Sequence, residues 1–115
     1  MPDQTPIARI GPDGARALLE GGALLLDVRE ADEWTAGHAP DALWIPVAQV
    51  GERLSELPPG RSIVAICRSG VRSARVAEAL DARGYDVANL EGGMRAWVAA
   101  GFDCVTDAGT PGRVA

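Results

Sequence analysis

Short apolar runs alternate with amphipathic stretches along the chain, and this alternation predicts its secondary structure. Three of these runs have the length of strands: 63–66, 87–90, and 23–28, which Asp27 interrupts. Such runs are typical of strands covered on both faces, as in a parallel sheet. Two shorter runs, at 7–10 and 43–45, predict an edge strand and a brief third strand.

Helices are predicted between these strands. Pro12 suits the first position of a helix, and Gly21 and Gly22 suit its end. Apolar residues recur at intervals of three and four between 47 and 57, which predicts an amphipathic helix before two prolines. The predicted helices cover 12–20, 30–36, 47–57, 73–83 and a last stretch from Met94 that ends at Gly101.

This order of elements predicts an α/β fold, with a mostly parallel sheet and helices on both faces. A length of 115 residues fits one domain, which we place at 6–103. Residues 1–5 are predicted to form an N-terminal tail, and residues 104–115 a loose C-terminal tail.

Charge and composition narrow the chemistry. Acidic residues outnumber basic ones by 16 to 11, for a net charge of −5, which argues against nucleic-acid and anionic-membrane partners. The absence of lysine excludes a Schiff-base lysine, a pyridoxal-phosphate site and a Walker-type phosphate loop. One histidine, His38, and two cysteines, Cys67 and Cys104, cannot build a multi-histidine, closed zinc or iron–sulfur centre. We therefore expect neither a metal nor an organic cofactor.

The sequence also suggests a location. The first six residues are polar and interrupted by proline, unlike a secretory segment, and no apolar run is long enough to span a membrane. Two widely spaced cysteines without an export signal indicate reduced thiols. We expect a cytoplasmic protein.

The residues that carry chemistry lie where the 63–66 strand ends, in the loop Cys67-Arg68-Ser69-Gly70-Val71-Arg72-Ser73. Sites in open α/β sheets form at the carboxyl ends of strands. Gly70 can adopt a positive φ, so the turn can point several N–H groups inward at the start of a helix. These groups, with Arg68 and Arg72, should lower the pKa of Cys67 and make it nucleophilic. The alternative is a small apolar cysteine that ends a core strand before an ordinary turn.

At this loop the chain resembles the rhodanese sulfurtransferases, specifically their small single-domain bacterial members, from Ile7 to about Cys104. Each motif alone is weak, but five in the expected order and spacing are specific. They are Asp27-Val28-Arg29-Glu30 with Glu33-Trp34, Gly37-His38-Ala39, Ile45-Pro46, the Cys67–Ser73 loop, and Leu90-Glu91-Gly92-Gly93 with Trp97.

The resemblance implies a five-stranded parallel sheet and a sulfur-transfer cycle. Cys67 would take the outer sulfur of thiosulfate or of a persulfide and hold it as a cysteine persulfide. Cyanide in an assay, or a thiol or protein in the cell, would then remove that sulfur. The loop would stabilise the persulfide, and Arg68 and Arg72 would attract the small anionic donor.

The resemblance also suggests roles around the loop. Asp27 and Arg29 would brace it by hydrogen bonds, the alternative being a solvated charge pair. Glu33 is expected to pair with an arginine, and His38 to tie the loop that follows it. Cys104 would either form a disulfide with Cys67 or be an incidental thiol.

Two other functions remain open. One is a phosphatase or arsenate reductase. Cysteine-dependent phosphatases share the fold, but their loop has five residues between cysteine and arginine, whereas four separate Cys67 from Arg72. A binding module without turnover would keep the fold, but inactive relatives commonly lack the cysteine. One departure from the family pattern is Asp41, where glycine is common; aspartate tolerates the left-handed backbone that this turn needs.

Overall fold

The computed structural model describes residues 6–115, so the predicted tail at 1–5 lies outside the described residues. Five strands, all paired in parallel, form one sheet in the order β1-β5-β4-β2-β3. The predicted parallel α/β sheet is thereby confirmed. The strands are β1 Ala8–Ile10, β2 Leu24–Asp27, β3 Leu43–Trp44, β4 Ile63–Ile66 and β5 Val87–Leu90.

Four α-helices lie near the predicted positions: α1 Pro12–Glu20, α2 Ala31–Ala36, α3 Val71–Ala82 and α4 Gly93–Ala99. Helix α3 begins two residues earlier than predicted, because Gly70 at φ 103° turns the chain directly into the helix. Within the described residues, no helix has the length and apolar character needed to cross a membrane.

The predicted helix at 47–57 is wrong in type. The segment forms two 3₁₀-helices, Val47–Glu52 and Leu54–Glu56, with a break at Arg53. Pro46 precedes the segment, Gly51 weakens an α-helix at its centre, and Pro58 follows it. A 3₁₀-helix aligns side chains three apart, so this segment still buries Val50 against the core.

Helices cover both faces of the sheet, as predicted, and alternate residues along each strand separate two apolar clusters. One cluster joins Leu24, Leu26, Ile63, Ala65 and Cys67 to Val76, Ala77 and Leu80 of α3. The other joins Leu25, Val64 and Ile66 to Ala15 of α1 and to Met94 and Trp97 of α4.

The segment after Asp103 differs from the predicted loose tail, because it folds back on the domain. Val105 and His38 exchange two backbone hydrogen bonds of 2.8 Å, and the Arg113 N–H donates to the Ala36 carbonyl at 3.0 Å. This close approach needs Gly37, where a Cβ would lie 2.5 Å from the Arg113 nitrogen. The two segments meet only in the folded chain, which explains why local sequence patterns do not reveal the contact.

Candidate active site

The Cys67 loop is shaped by the short connection between β4 and α3. Strand β4 ends at Ile66, and Gly70 adopts the left-handed conformation directly before α3. A Cβ at Gly70 would lie 3.2 Å from the backbone nitrogen of Gly92, so the position combines a positive φ with a close backbone neighbour. The turn therefore directs backbone N–H groups toward the end of β4.

The Cys67 thiol lies inside this turn, and the residue is only 1% exposed. The Gly70 N–H donates to its Sγ at 3.1 Å, and the Ser73 hydroxyl lies 3.3 Å from the same atom. Burial raises the pKa of the thiol, but hydrogen bonds from Ser73 and from the N–H groups of Gly70 and Ser69 outweigh it and hold the pKa below its ordinary value. The N–H groups act as the sequence predicts, whereas neither arginine is among the main causes.

Asn89 also belongs to the site, although it is not among the residues predicted from the sequence. Its Nδ2 donates to the Gly70 carbonyl at 3.1 Å, and its Oδ1 lies 2.6 Å from the Ser73 hydroxyl. Asn89 therefore links β5 to Gly70 in the turn and to Ser73 at the start of α3. The available signal was a polar residue inside the buried run of β5, where buried polar groups need partners.

Arg72 is bound to Glu33 of α2. Its two terminal nitrogens donate to the two carboxylate oxygens at 2.6 and 2.8 Å, and the Glu33 side chain is only 13% exposed. The hydrogen bond from Arg72 is the main cause that lowers the pKa of Glu33, so this carboxylate is ionised at neutral pH. The predicted pairing of Glu33 with an arginine is confirmed. The Arg72 guanidinium is therefore already bound to a carboxylate within the protein.

The remaining loop side chains face solvent. Arg68 and Ser69 are exposed, and within residues 6–115 the structure gives Arg68 no ion-pair partner. Val71 is 65% exposed at the start of α3, so it lies on the rim of the loop. Arg68 therefore offers a solvent-exposed cation in the loop, next to Cys67 in sequence.

The N-terminus of helix α4 contacts the loop. The Met94 and Arg95 N–H groups donate to the carbonyls of Cys67 and Arg68 at 2.7 and 3.1 Å. A Cβ at Gly93 would collide with the backbone of both loop residues. The helix N-terminus thus binds the loop carbonyls while the loop N–H groups remain directed at the sulfur.

The family model for the Rhodanese-like domain matches residues 11–100 of the chain. The chain belongs to the rhodanese-like domain family. A sulfurtransferase of Allochromatium vinosum is 41% identical over 87 residues, which cover 75% of this rhodanese-like chain and 81% of the relative. A thiosulfate sulfurtransferase, GlpE, of Pseudomonas savastanoi pv. phaseolicola is 32% identical over 94 residues, with coverage of 81% and 89%.

Solved structures agree with this assignment. The crystal structure of a rhodanese-related protein from Thermoplasma volcanium matches the rhodanese-like chain with a TM-score of 0.81 and 27% identity. The match covers 87% of this chain and 99% of that one. The architecture is therefore shared over nearly the whole described domain.

In this rhodanese-like domain, Asp27 and Arg29 form a fully buried ion pair, which corrects two expectations. They are not a solvated pair, and within residues 6–115 their side chains make no hydrogen bond to the Cys67 loop. Arg29 donates instead to the Gly37 carbonyl at 2.8 Å and to the Glu33 carbonyl at 3.3 Å. Helix ends leave carbonyls without partners, so the pair braces α2 and, through Glu33, supports Arg72 indirectly.

His38 connects the loop before β3 to the C-terminal segment. Its ring nitrogens lie 3.1 Å from the Ala39 carbonyl and 2.9 Å from an Asp107 carboxylate oxygen. The ring also stacks on Trp34 with centroids 3.6 Å apart. Asp41 adopts the expected left-handed conformation, at φ 64°. These contacts give His38 the tying role that the family resemblance suggested.

Cys104 lies in a different environment from Cys67. It packs against the apolar cluster on the α1 and α4 face, whereas Cys67 belongs to the cluster on the α3 face. Burial raises the pKa of the Cys104 thiol, in contrast to Cys67. Both cysteines are free thiols. Within residues 6–115, no cluster of three or more His, Cys, Asp or Glu residues is arranged to hold a metal ion.

Proposed function

We propose that this rhodanese-like domain is a sulfurtransferase that carries a sulfane sulfur on Cys67. The observation that carries the proposal is the Cys67 thiol itself, which receives hydrogen bonds from Gly70 and Ser73 and has a lowered pKa. A lowered pKa increases the fraction of thiolate, which is the nucleophilic form. Relatives named as sulfurtransferases support the same chemistry.

The cycle has two displacements at sulfur. The Cys67 thiolate attacks the outer sulfur of thiosulfate, the sulfur–sulfur bond of the donor breaks, and sulfite leaves with the bonding pair. A persulfide donor R–S–SH reacts in the same way and releases its thiolate. An acceptor nucleophile then attacks the outer sulfur of the Cys67 persulfide, and the Cys67 thiolate leaves and is regenerated.

The loop contributes electrostatic stabilisation to this cycle. The N–H groups of Ser69 and Gly70 and the Ser73 hydroxyl face the position where negative charge lies on sulfur. Arg68, exposed at the mouth, attracts an anionic donor. The displacement needs no metal or organic cofactor, because sulfite and thiolates are themselves competent leaving groups.

We propose thiosulfate or a persulfide as the donor, and cyanide as an assay acceptor. A thiol or a protein is the acceptor that we propose in the cell. The name of the GlpE relative supports thiosulfate as an assay donor. Two free thiols fit a reducing compartment, so we propose a cytoplasmic location.

The loop geometry disfavours the alternatives. Phosphatase and arsenate reductase chemistry need an arginine that is free to bind the substrate oxyanion, whereas Arg72 is held by both oxygens of Glu33. A binding module without turnover has no use for a thiol with a lowered pKa. Sulfur transfer makes use of both the thiol and its N–H donors.

Mass spectrometry of the intact protein after brief exposure to thiosulfate tests the proposal. The wild type is expected to gain the mass of one sulfur atom, which cyanide then removes as thiocyanate. Cys67→Ser should gain nothing, whereas Cys104→Ser, which alters the thiol on the other face of the sheet, should load like the wild type. Failure of the wild type to load from both thiosulfate and a small persulfide would reject sulfur transfer.

A further inference from the structure

The Glu33–Arg72 pair changes the charge that the site offers to a donor. A loop with two arginines suggests a strongly cationic mouth, but Glu33 occupies both terminal nitrogens of Arg72. Arg68 is the other loop cation, and it is exposed to solvent. Once Cys67 is a thiolate, the two arginines share the loop with this thiolate and with Glu33, and Glu30 adds a further carboxylate within electrostatic range of Arg72, so the local set of charges is not strongly cationic.

The two donor classes differ in how much negative charge they bring to this set. Thiosulfate is a dianion, so its reaction with the Cys67 thiolate gathers three negative charges at the loop. A protonated persulfide R–S–SH has no charge at its reacting end, so its reaction involves one. Charge at a partly buried site interacts more strongly than in water, and the thiosulfate reaction is therefore much more sensitive to a nearby carboxylate.

Glu33 is fixed in place by contacts that do not depend on Arg72. Its Oε1 accepts the Glu30 N–H at 3.0 Å in a capping box at the start of α2. Its carbonyl accepts from Arg29, whose guanidinium is anchored in the buried pair with Asp27. Because contacts hold both the side chain and the backbone of Glu33, its carboxylate keeps its position at the site.

We propose that Glu33 sets the donor preference of this domain: by neutralising Arg72 it disfavours dianionic thiosulfate relative to a protonated persulfide. This inference rests on the proposed sulfurtransferase function. Glu33 acts through Arg72 and the local field, so it is a specificity-determining residue that takes no part in bond breaking.

The variant Glu33→Gln isolates the charge. Glutamine has the shape of glutamate, and its Oε1 can still accept the Glu30 N–H, so the capping box is retained. Asp32→Asn is the matched control, because it removes one negative charge from the same helical turn at an exposed position. Both variants are compared with the wild type in rapid-quench experiments that follow loading of Cys67 by mass spectrometry.

The two probes are thiosulfate and the persulfide of 2-mercaptoethanol. For Glu33→Gln we expect the second-order rate constant with thiosulfate to rise about ten-fold through a lower KM, because one neighbouring charge is removed. The rate constant with the persulfide should change by less than about two-fold, as should both rate constants in Asp32→Asn. The ratio of the two rate constants therefore measures the effect of the Glu33 charge on donor preference.

Arg72→Gln provides a second arm if Glu33→Gln does not fold. It leaves the Glu33 carboxylate without its cation, so loading from thiosulfate should fall by a larger factor than loading from the persulfide. Equal changes for the two donors, in either variant, would overturn the inference while leaving the sulfurtransferase function intact. Wild-type protein that loads from neither donor would instead overturn the function on which the inference rests.

Discussion

The Ser73 hydroxyl has one proton and two possible acceptors, the Cys67 sulfur and Asn89 Oδ1. When Cys67 is a thiol, its S–H can donate to Ser73 while Ser73 donates to Asn89. When Cys67 is a thiolate, Ser73 forms its stronger hydrogen bond by donating to the sulfur, because hydrogen bonds to charged groups are stronger than those to neutral groups. One side chain can thus serve both protonation states of the nucleophile.

Ser73→Ala tests this role. Removing the hydroxyl takes away a group that lowers the pKa of Cys67, so the pH midpoint for alkylation of Cys67 should move upward. At neutral pH the thiolate fraction falls, and loading from thiosulfate slows with it. The measurement is the rate of iodoacetamide alkylation against pH, with Ser55→Ala as an exposed serine control. An unchanged midpoint in Ser73→Ala would contradict the assignment.

For individual residues, the sequence identifies the nucleophile but not all of the side chains that surround it. Cys67 stands out because a glycine and two arginines follow a buried strand within five residues. The pairing of Glu33 with an arginine is predictable, whereas its choice of Arg72 depends on the folded chain, which brings the start of α3 within reach of α2. Asn89 contacts the loop from another strand, so its role requires the sheet order that places β5 next to β4.

Among the elements, α4 fixes the loop through Gly92 and Gly93. The sequence presents these glycines as a family motif and gives no physical reason for them. The structure supplies the reason, because Gly93 at φ 56° lies against the backbone of Cys67 and Arg68. The glycine lets the helix N-terminus approach closely enough to bind both carbonyls.

Gly93→Ala is expected to damage both stability and sulfur loading. The left-handed conformation and the collision with the loop together should cost about 2–5 kcal/mol of unfolding free energy. Gly101→Ala is the control, because Gly101 also has a positive φ, of 88°, but open space around it. That control should lose only about 1–2 kcal/mol and load normally. Urea unfolding and loading kinetics measure the two effects, and equal losses in both variants would contradict the role of the collision.

The 47–57 segment shows why element type is harder to predict than element position. Its apolar spacing correctly indicates a helical segment with one buried side, including Val50 and Leu57. Intervals of three and four suit an α-helix, but intervals of three also suit a 3₁₀-helix. The proline before the segment, the glycine inside it and the prolines after it favour the shorter, tighter turns.

For the whole molecule, the C-terminal segment completes the face of the sheet that carries α1 and α4. Cys104 and Val114 pack on the apolar cluster there, and Val105 pairs with His38. This segment joins the chain end to the loop that follows α2, and α2 carries Glu33. The Asp107–His38 contact and the Arg113–Ala36 hydrogen bond make the same connection from positions that follow Val105 in the chain.

Gly37→Ala tests whether this closure stabilises the molecule. Gly37 has an extended backbone that any residue can adopt, at φ 163°, so the obstacle to an added Cβ is steric, and its nearest neighbours are the Arg113 backbone and the Cys104 sulfur. Displacing the segment should lower the unfolding free energy by about 1–3 kcal/mol. Gly51→Ala, where a Cβ meets nothing within 4 Å, should cause no loss.

Hydrogen exchange distinguishes displacement of the segment from a general loss of stability. In Gly37→Ala the amides of His38 and Val105 should exchange faster, because their mutual hydrogen bonds depend on the contact at Gly37. The amides of Ile63–Ile66 lie in the central strand of the sheet and should stay protected. Retained protection at His38 and Val105 would mean that the segment tolerates the added methyl group, and the close approach at Gly37 would then not be needed for closure.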